Sequence, residues 1–237
     1  MNLGILQARM SSSRLPGKVM RTICQKPMLE LQIERTVRCK RMDKLIVATS
    51  DQADDNVISD LCVRLSIDCF RGSLNNVLDR FYQAAKANRP DHVTRTTADC
   101  PLIDPTVIDR VIDLHIADNL DYTTNNMPPS WPHGLDVEVM RFVCLEEAWC
   151  EATTSEEKEH VTPFLRNRPD RFALGNLHCP QDLSRQRWTV DEADDFEFVR
   201  IVFERLYQKN SRFTTDDVLR LLERESDLPR INEHLAR

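Results

Sequence analysis

Residues 3–18 read LGILQARMSSSRLPGK. The short apolar run from Leu3 to Leu6 predicts a buried strand. A polar stretch with three serines follows and closes on Arg14-Leu15-Pro16-Gly17-Lys18. Pro16-Gly17 marks a turn, and Gly17 lets backbone N–H groups approach a ligand closely. Three cations, Arg9, Arg14 and Lys18, thus leave one loop directly after a strand. At the carboxyl end of a parallel strand such a loop can hold a polyphosphate; a solvated basic loop has the same composition. It is not a Walker A loop, because the first glycine and the Ser/Thr after the lysine are missing.

Downstream, Leu29, Ile33 and Val37 recur at helical spacing. Lys44–Thr49 (KLIVAT) predicts a second buried strand, followed by a helix bearing Val57, Ile58, Leu61, Cys62 and Leu65. Ile67–Phe70 predicts a third strand, and Val77, Leu78, Phe81, Ala84 and Ala85 mark the next helix. Asp91–Thr97 (DHVTRTT) predicts a fourth strand. This alternation implies an α/β fold, a mostly parallel sheet with helices on both faces. The carboxyl ends of its strands should line the ligand crevice, so the opening loop and the segment after Thr97 should meet there.

Asp104 and Pro105 fit the N-cap and first position of a helix that carries Val107, Ile108, Val111, Ile112 and His115. Asp99 is therefore free of capping duty at a strand end, and is either a turn aspartate or a metal ligand. Asp121–Thr124 predicts a short strand, and residues 125–131 a loop able to cover a site. Gly134–Met140 alternates, with Leu135, Val137 and Val139 on one face and Asp136 and Glu138 on the other. Residues 141–152 are helical in pattern. Thr154-Ser155-Glu156-Glu157 has the form of a capping box, opening a helix that contains His160, a structural or a catalytic histidine. Arg187–Val190 predicts a last strand with Asp191 at its end. Phe196, Val199, Phe203 and Leu206 define another helix, and Thr214 caps one bearing Val218, Leu221 and Leu222. Residues from Ser226 onward have the composition of a polar tail. No repeat or linker interrupts the chain, which predicts one domain over 1–237, its core about 3–206, with a C-terminal helical extension over 207–237.

The totals narrow the function classes. The chain has 237 residues, 41% hydrophobic and 30% charged, with a net charge of -6. An acidic balance argues against a nucleic-acid binder. The start lacks the pattern of a signal peptide, and no apolar run approaches the roughly 18 residues of a membrane span. The eight cysteines form no C-x-x-C pair. Reduced thiols, no disulfide framework, no zinc site and a cytoplasmic location are the expectation.

Asp99 and Asp191 each follow a predicted strand. If both strands share one sheet, both carboxylates face Arg9, Arg14 and Lys18, which suits a magnesium–nucleoside triphosphate. At this point the motifs carry a resemblance. Gln7-Ala8-Arg9 with Ser13-Arg14-Leu15-Pro16-Gly17-Lys18 resembles the phosphate-binding signature of the cytidylyltransferases that make CMP-activated acidic sugars. Asp99-Cys100-Pro101-Leu102-Ile103 and Val190-Asp191-Glu192-Ala193-Asp194-Asp195 resemble its two aspartate segments. Gly72-Ser73, Val77-Leu78-Asp79-Arg80, Gly134-Leu135-Asp136-Val137-Glu138 and Glu159-His160-Val161-Thr162-Pro163 resemble the branch of spore coat polysaccharide biosynthesis protein F.

The resemblance runs from about Leu3 to about Leu206. It implies a nucleotide-diphospho-sugar transferase type of fold, GT-A-like and Rossmann-like, usually a homodimer. It implies transfer of CMP from CTP to an acidic or modified sugar with release of pyrophosphate. Arg14 and Lys18 would hold the β- and γ-phosphates, and Asp99 and Asp191 would hold Mg2+. Leu6, Ala8 and Arg9 would lie near base and ribose through their backbone. The acidic-sugar enzymes carry glutamine and glycine where this chain has Thr97 and Ala98, which leaves the base contact open. Glu138, His160 and Arg187 are the candidates for the sugar. Two rivals share the architecture. A GT-A-type glycosyltransferase would usually carry an Asp-x-Asp motif, for which Asp136-Val137-Glu138 is only a loose substitute. The other is a non-catalytic nucleotide-binding protein, against which intact Lys18, Asp99 and Asp191 argue. Exposed apolar residues over 125–142 would fit a dimer surface.

Overall fold

A computed structural model describes residues 1–236. The chain opens with β1 (Asn2–Gln7), a small hairpin of β2 (Thr22–Ile23) and β3 (Lys26–Pro27), α1 (Met28–Thr36) and β4 (Lys44–Ser50). There follow α2 (Asn56–Leu65), β5 (Asp68–Gly72), α3 (Val77–Lys86), β6 (His92–Thr97) and α4 (Pro105–Ala117). Next come β7 (Tyr122–Thr124), β8 (Glu138–Arg141), α5 (Phe142–Glu151), α6 (Ser155–His160) and α7 (Pro163–Arg166). The chain closes with β9 (Leu174–Asn176), α8 (Ala193–Leu206) and α9 (Thr215–Arg224).

Seven strands form one sheet in the order β5-β4-β1-β6-β8-β7-β9. Only β8 runs against its neighbours. The chain builds outward from β1 through β4 to β5, then returns to lay β6 on the other side of β1. The gap past the carboxyl ends of β1 and β6 is thus the switch point where such sheets bind ligands. Strand alternation divides the apolar residues between two layers. Leu3 and Ile5 pack with α3 and α5 through Phe81 and Leu145. Leu6 and Val47 pack with α1, α2 and α8 through Leu29, Leu61 and Phe198. Helices therefore cover both faces, and α4 lies against Val137 and Val139 through Ile108 and Ile112.

The cap signals hold. Asp104 accepts from Thr106 N at 2.9 Å, with Pro105 at the first turn. Thr154 with Glu157 and Thr214 with Asp217 form capping boxes. All eight cysteines are free among the described residues, and no described helix is long and apolar enough to cross a membrane.

Four local expectations need correcting. The alternating segment from Gly134 enters the sheet only at Glu138, because the Asn125 amide takes the place of a neighbouring strand. It donates to Leu135 O at 2.8 Å and accepts from Val137 N at 2.9 Å. Arg187–Val190 is extended but joins no strand. Its bonds go to two loops, Trp188 N to His133 O at 2.7 Å and Val190 N to Asp99 O at 2.7 Å. The polar tail is docked, with Leu228 and Asn232 buried. Over 125–142 the large apolar residues are mostly interior, Trp131, Leu135, Val137 and Met140 among them, while Met127 is exposed. The edge strand β9 was not legible, since Leu-Gly-Asn is too short to show a period.

Gly134 sits where two segments cross. Its φ is 114°, and a Cβ there would lie 2.5 Å from Thr189 N and from Trp188 C. A Gly134→Ala variant should lose more than about 1 kcal/mol of stability in urea unfolding, because neither the backbone nor the neighbouring segment can give way. An unchanged midpoint would mean that the crossing is looser than the structure shows.

Candidate active site

A cavity of about 320 Å³ opens at the switch point, lined among others by Ala8, Arg9, Arg14, Lys18, Asp99 and Asp191. Its floor is the loop after β1. Asp55 pins the start of that loop by accepting from Met10 N at 2.7 Å and from Ser50 N at 3.0 Å. Gly17, at φ 70°, reverses the chain and donates to Met10 O at 3.0 Å. That reversal sends Lys18 inward, where it is only 8% exposed.

The Lys18 ammonium joins three stretches of chain. It donates to Val190 O at 2.6 Å and to Asp191 Oδ1 at 3.0 Å, and lies 3.5 Å from Asp99 Oδ2. Arg14 reaches Asp191 Oδ1 at 3.1 Å from the exposed rim. Arg9 has no ion-pair partner among the described residues and lines the same cavity. Asp99 belongs to a loop that is braced from behind. Its carbonyl accepts from Val190 N and from Thr189 Oγ1. The buried guanidinium of Arg35 donates to Ile103 O at 2.7 Å and Leu102 O at 3.3 Å just beyond. Burial pushes the Asp99 carboxyl up, but the Lys18 ammonium and hydrogen bonds including one from Thr97 outweigh it and hold it below its usual value.

The donor set fits a hard divalent cation. Two carboxylates and a backbone carbonyl, all oxygen, already converge on one positive charge, that of Lys18. Oxygen-only sets with one or two carboxylates suit Mg2+, which completes its shell with phosphate and water.

A second cavity of about 240 Å³ adjoins the first and shares Arg95 and His160 with it. Glu138 stands in its wall, held by Arg95, by Tyr122 Oη at 2.6 Å and by Thr162 Oγ1 at 2.7 Å. His160 is exposed at the junction. It precedes Val161, whose φ of 70° and ψ of -52° with a bond from Thr162 N to His160 O at 2.8 Å make a strained γ-turn. A buried β-branched residue held there fixes both neighbours at the cavity.

The expected residues are thus mostly brought together. Arg9, Arg14, Lys18, Thr97, Ala98, Asp99 and Asp191 line one cavity with Ala8. The Leu6 side chain is in the core, so only its backbone faces this end of the strand. Glu138 and His160 meet in the second cavity. Arg187 does not join them. Its guanidinium is bonded to Asp195 through two nitrogens, each at 2.8 Å, and stands 3.5 Å from Asp191. It is held by those partners and lines a different cavity, with His133 and Asp136.

Sequence reasoning missed Arg95, and it quoted Arg80 and Asp195 within motifs without giving either a role. Arg80 had a signal, a cation among the apolar positions of α3. It is fully buried, with no carboxylate partner among the described residues. Burial and the neighbouring Arg9 push it down to about 10, so it stays charged beneath the loop at neutral pH.

The mostly parallel sheet, with a cation-rich loop facing two carboxylates across its switch point, has the nucleotide-diphospho-sugar transferase type of fold. The chain belongs to the cytidylyltransferase family, which matches residues 3–228. It is 31% identical over 232 residues to spore coat polysaccharide biosynthesis protein SpsF of Bacillus subtilis, covering 95% of each chain. It is 39% identical over 198 residues to an uncharacterized protein of Methanocaldococcus jannaschii, covering 82% of this chain and 80% of the other. Among solved structures, a cytidylyltransferase from Leptospira borgpetersenii superposes with a TM-score of 0.91 at 26% identity, covering 96% of this chain and 95% of that one.

Burial pushes the Glu138 carboxyl up, but Arg95, Tyr122 and Thr162 hold it below its ordinary value of 4.5. Its ionisation therefore stabilises the fold above that value, and the stabilisation is lost as pH falls through the depressed one. Glu138→Gln should cost about 1–3 kcal/mol in urea unfolding at neutral pH, with a smaller gap from wild type at about pH 4. A gap of equal size at both pH values would show that the charge contributes nothing.

Proposed function

We propose that this cytidylyltransferase moves CMP from CTP to a hydroxyl group of a sugar, with Mg2+, and releases pyrophosphate. The observation that carries the proposal is the convergence of Lys18, Asp99 and Asp191 beneath the unpaired Arg9. Four charged groups of this kind match a triphosphate and its metal, and no neutral ligand needs them. The name of the SpsF relative, with its reference to polysaccharide biosynthesis, supports a sugar bound for a surface polymer.

In the proposed reaction the acceptor oxygen bonds to the α-phosphorus while the bond from that phosphorus to the α–β bridging oxygen breaks. The bridging oxygen leaves with the electron pair as part of pyrophosphate, and the hydroxyl proton passes to solvent. No covalent enzyme intermediate is needed. The protein contributes positioning and charge. Arg9, Arg14 and Lys18 offset the triphosphate charge and the charge that grows on the leaving group. Asp99 and Asp191 would hold the metal, which would supply Lewis-acid polarisation of the phosphoryl group. The acceptor occupies the adjoining cavity, whose lining includes Arg95, Arg166 and His160. Thr97 and Ala98 line the nucleotide cavity where the acidic-sugar enzymes have glutamine and glycine. Base recognition here therefore rests on other groups.

Pyrophosphate release from CTP, UTP, ATP, GTP and dTTP over a sugar panel tests the proposal. CTP should be preferred, and Asp99→Asn and Lys18→Ala should each lose about 10²–10³ in rate with unchanged circular dichroism. Near-normal turnover in either variant would remove that residue from the mechanism. A preference for another triphosphate would overturn the base, and binding of a nucleoside diphosphate without pyrophosphate release would favour a glycosyltransferase.

A further inference from the structure

The segment after α9 reaches back to the active centre. Past Ser226 it forms two short 3-10 turns, Pro229–Ile231 and Glu233–Leu235, with Asn232 between them. Asn232 lies four residues beyond the span matched by the family, yet it is only 2% exposed. Its amide nitrogen donates to Arg187 O at 3.0 Å and to Asp195 Oδ1 at 2.9 Å.

Asp195 is the centre of that contact. It is fully buried and accepts five hydrogen bonds: two from Arg187, one from Asn232, and one each from the backbone nitrogens of Asp191 and Glu192. A buried carboxylate tolerates its position only when its lone pairs are filled in this way. The bond from Asp191 N, at 2.9 Å, ties the backbone of Asp191 to it. Arg187 faces Asp191 Oδ2 at 3.5 Å, leaving Oδ1 to Lys18 and Arg14. The extended stretch from Arg187 to Asp191 is thus held at both ends by one buried cluster. Asn232 touches its beginning directly and its end through Asp195.

We propose that Asn232 is a positioning residue for the reaction. The C-terminal segment acts as a strap whose amide fixes the buried Arg187–Asp195 pair and through it the orientation of Asp191 toward the metal. This rests on the assignment of Asp191 as a metal ligand. A hydrogen-bond partner of a metal ligand typically changes metal affinity by about 10–100-fold, and Asn232, bonded to such partners, should act at the low end of that range. A purely structural tail would change only the unfolding temperature.

The test is titration of Mn2+ into the full chain with CTP equimolar to it, read by the paramagnetic signal of free Mn2+ against the same titration of CTP alone, for wild type, Asn232→Ala and the milder Asn232→Ser. CTP affinity without metal and the unfolding temperature are measured beside it. The inference expects Mn2+ affinity to fall about tenfold in Asn232→Ala, with a smaller loss in Asn232→Ser. CTP affinity without metal should stay within about twofold, since Arg9, Arg14 and Lys18 are untouched. A lower unfolding temperature with unchanged Mn2+ affinity in either folded variant would overturn it. Failure of wild type to bind Mn2+ in the presence of CTP would instead overturn the metal assignment on which it rests.

Discussion

One ammonium group ties the active centre together. Lys18 comes from the loop after β1, and its three oxygen partners come from the end of β6 and from the segment entering α8. Without that charge, Asp99 and Asp191 would face each other across a half-buried cavity, and like charges in such a place repel strongly. The lysine offsets that repulsion, and its charge helps hold the Asp99 carboxyl below its usual value despite burial. It also sets the geometry, because a single cation can satisfy them only if the two chain segments stay close. The remaining bonds between those segments, Val190 N and Thr189 Oγ1 to Asp99 O, reinforce the same approach.

Around this centre the protein grades its charges by burial. Arg14 is at the rim, Arg9 and Lys18 line the cavity, and Arg80 and Arg35 are buried behind it. Arg35 spends its donors on backbone carbonyls of the Leu102–Ile103 loop and of Phe213. It shapes the site without touching a ligand. Burial pushes it down to about 10, which still leaves it charged. Arg80 keeps Nε and Nη2 without a partner, a costly arrangement for a buried guanidinium. Its cost is consistent with a site that draws anions, since its field adds to that of Arg9 just above. The acidic total of the chain and this local positive field coexist because the field falls off quickly in solvent.

The acceptor side is organised differently. There the main charge, Arg95, is balanced by Glu138, and the wall is built from hydroxyl groups and a fixed γ-turn. A neutralised polar wall beside a strongly cationic one is the contrast on which the proposed division between triphosphate and acceptor rests.

The sequence by itself determined the half of the molecule that is local. Buried strands, helix periods and caps such as Asp104, Thr154 and Thr214 were legible because each depends on residues within one or two turns of chain. The motif residues Lys18, Asp99 and Asp191 were legible through the order in which they occur. Tertiary structure decided what depends on partners far away in the chain. Asn125 displaced the start of β8, and the Arg187–Val190 stretch paired with loops in place of a strand. Arg187 was claimed by Asp195, and a tail of polar composition docked through Asn232. A buried polar group is stable only when its bonds are met, and the partners that meet them here lie from 8 to 91 residues away. No period or local propensity records those distances, so only the folded chain reveals them.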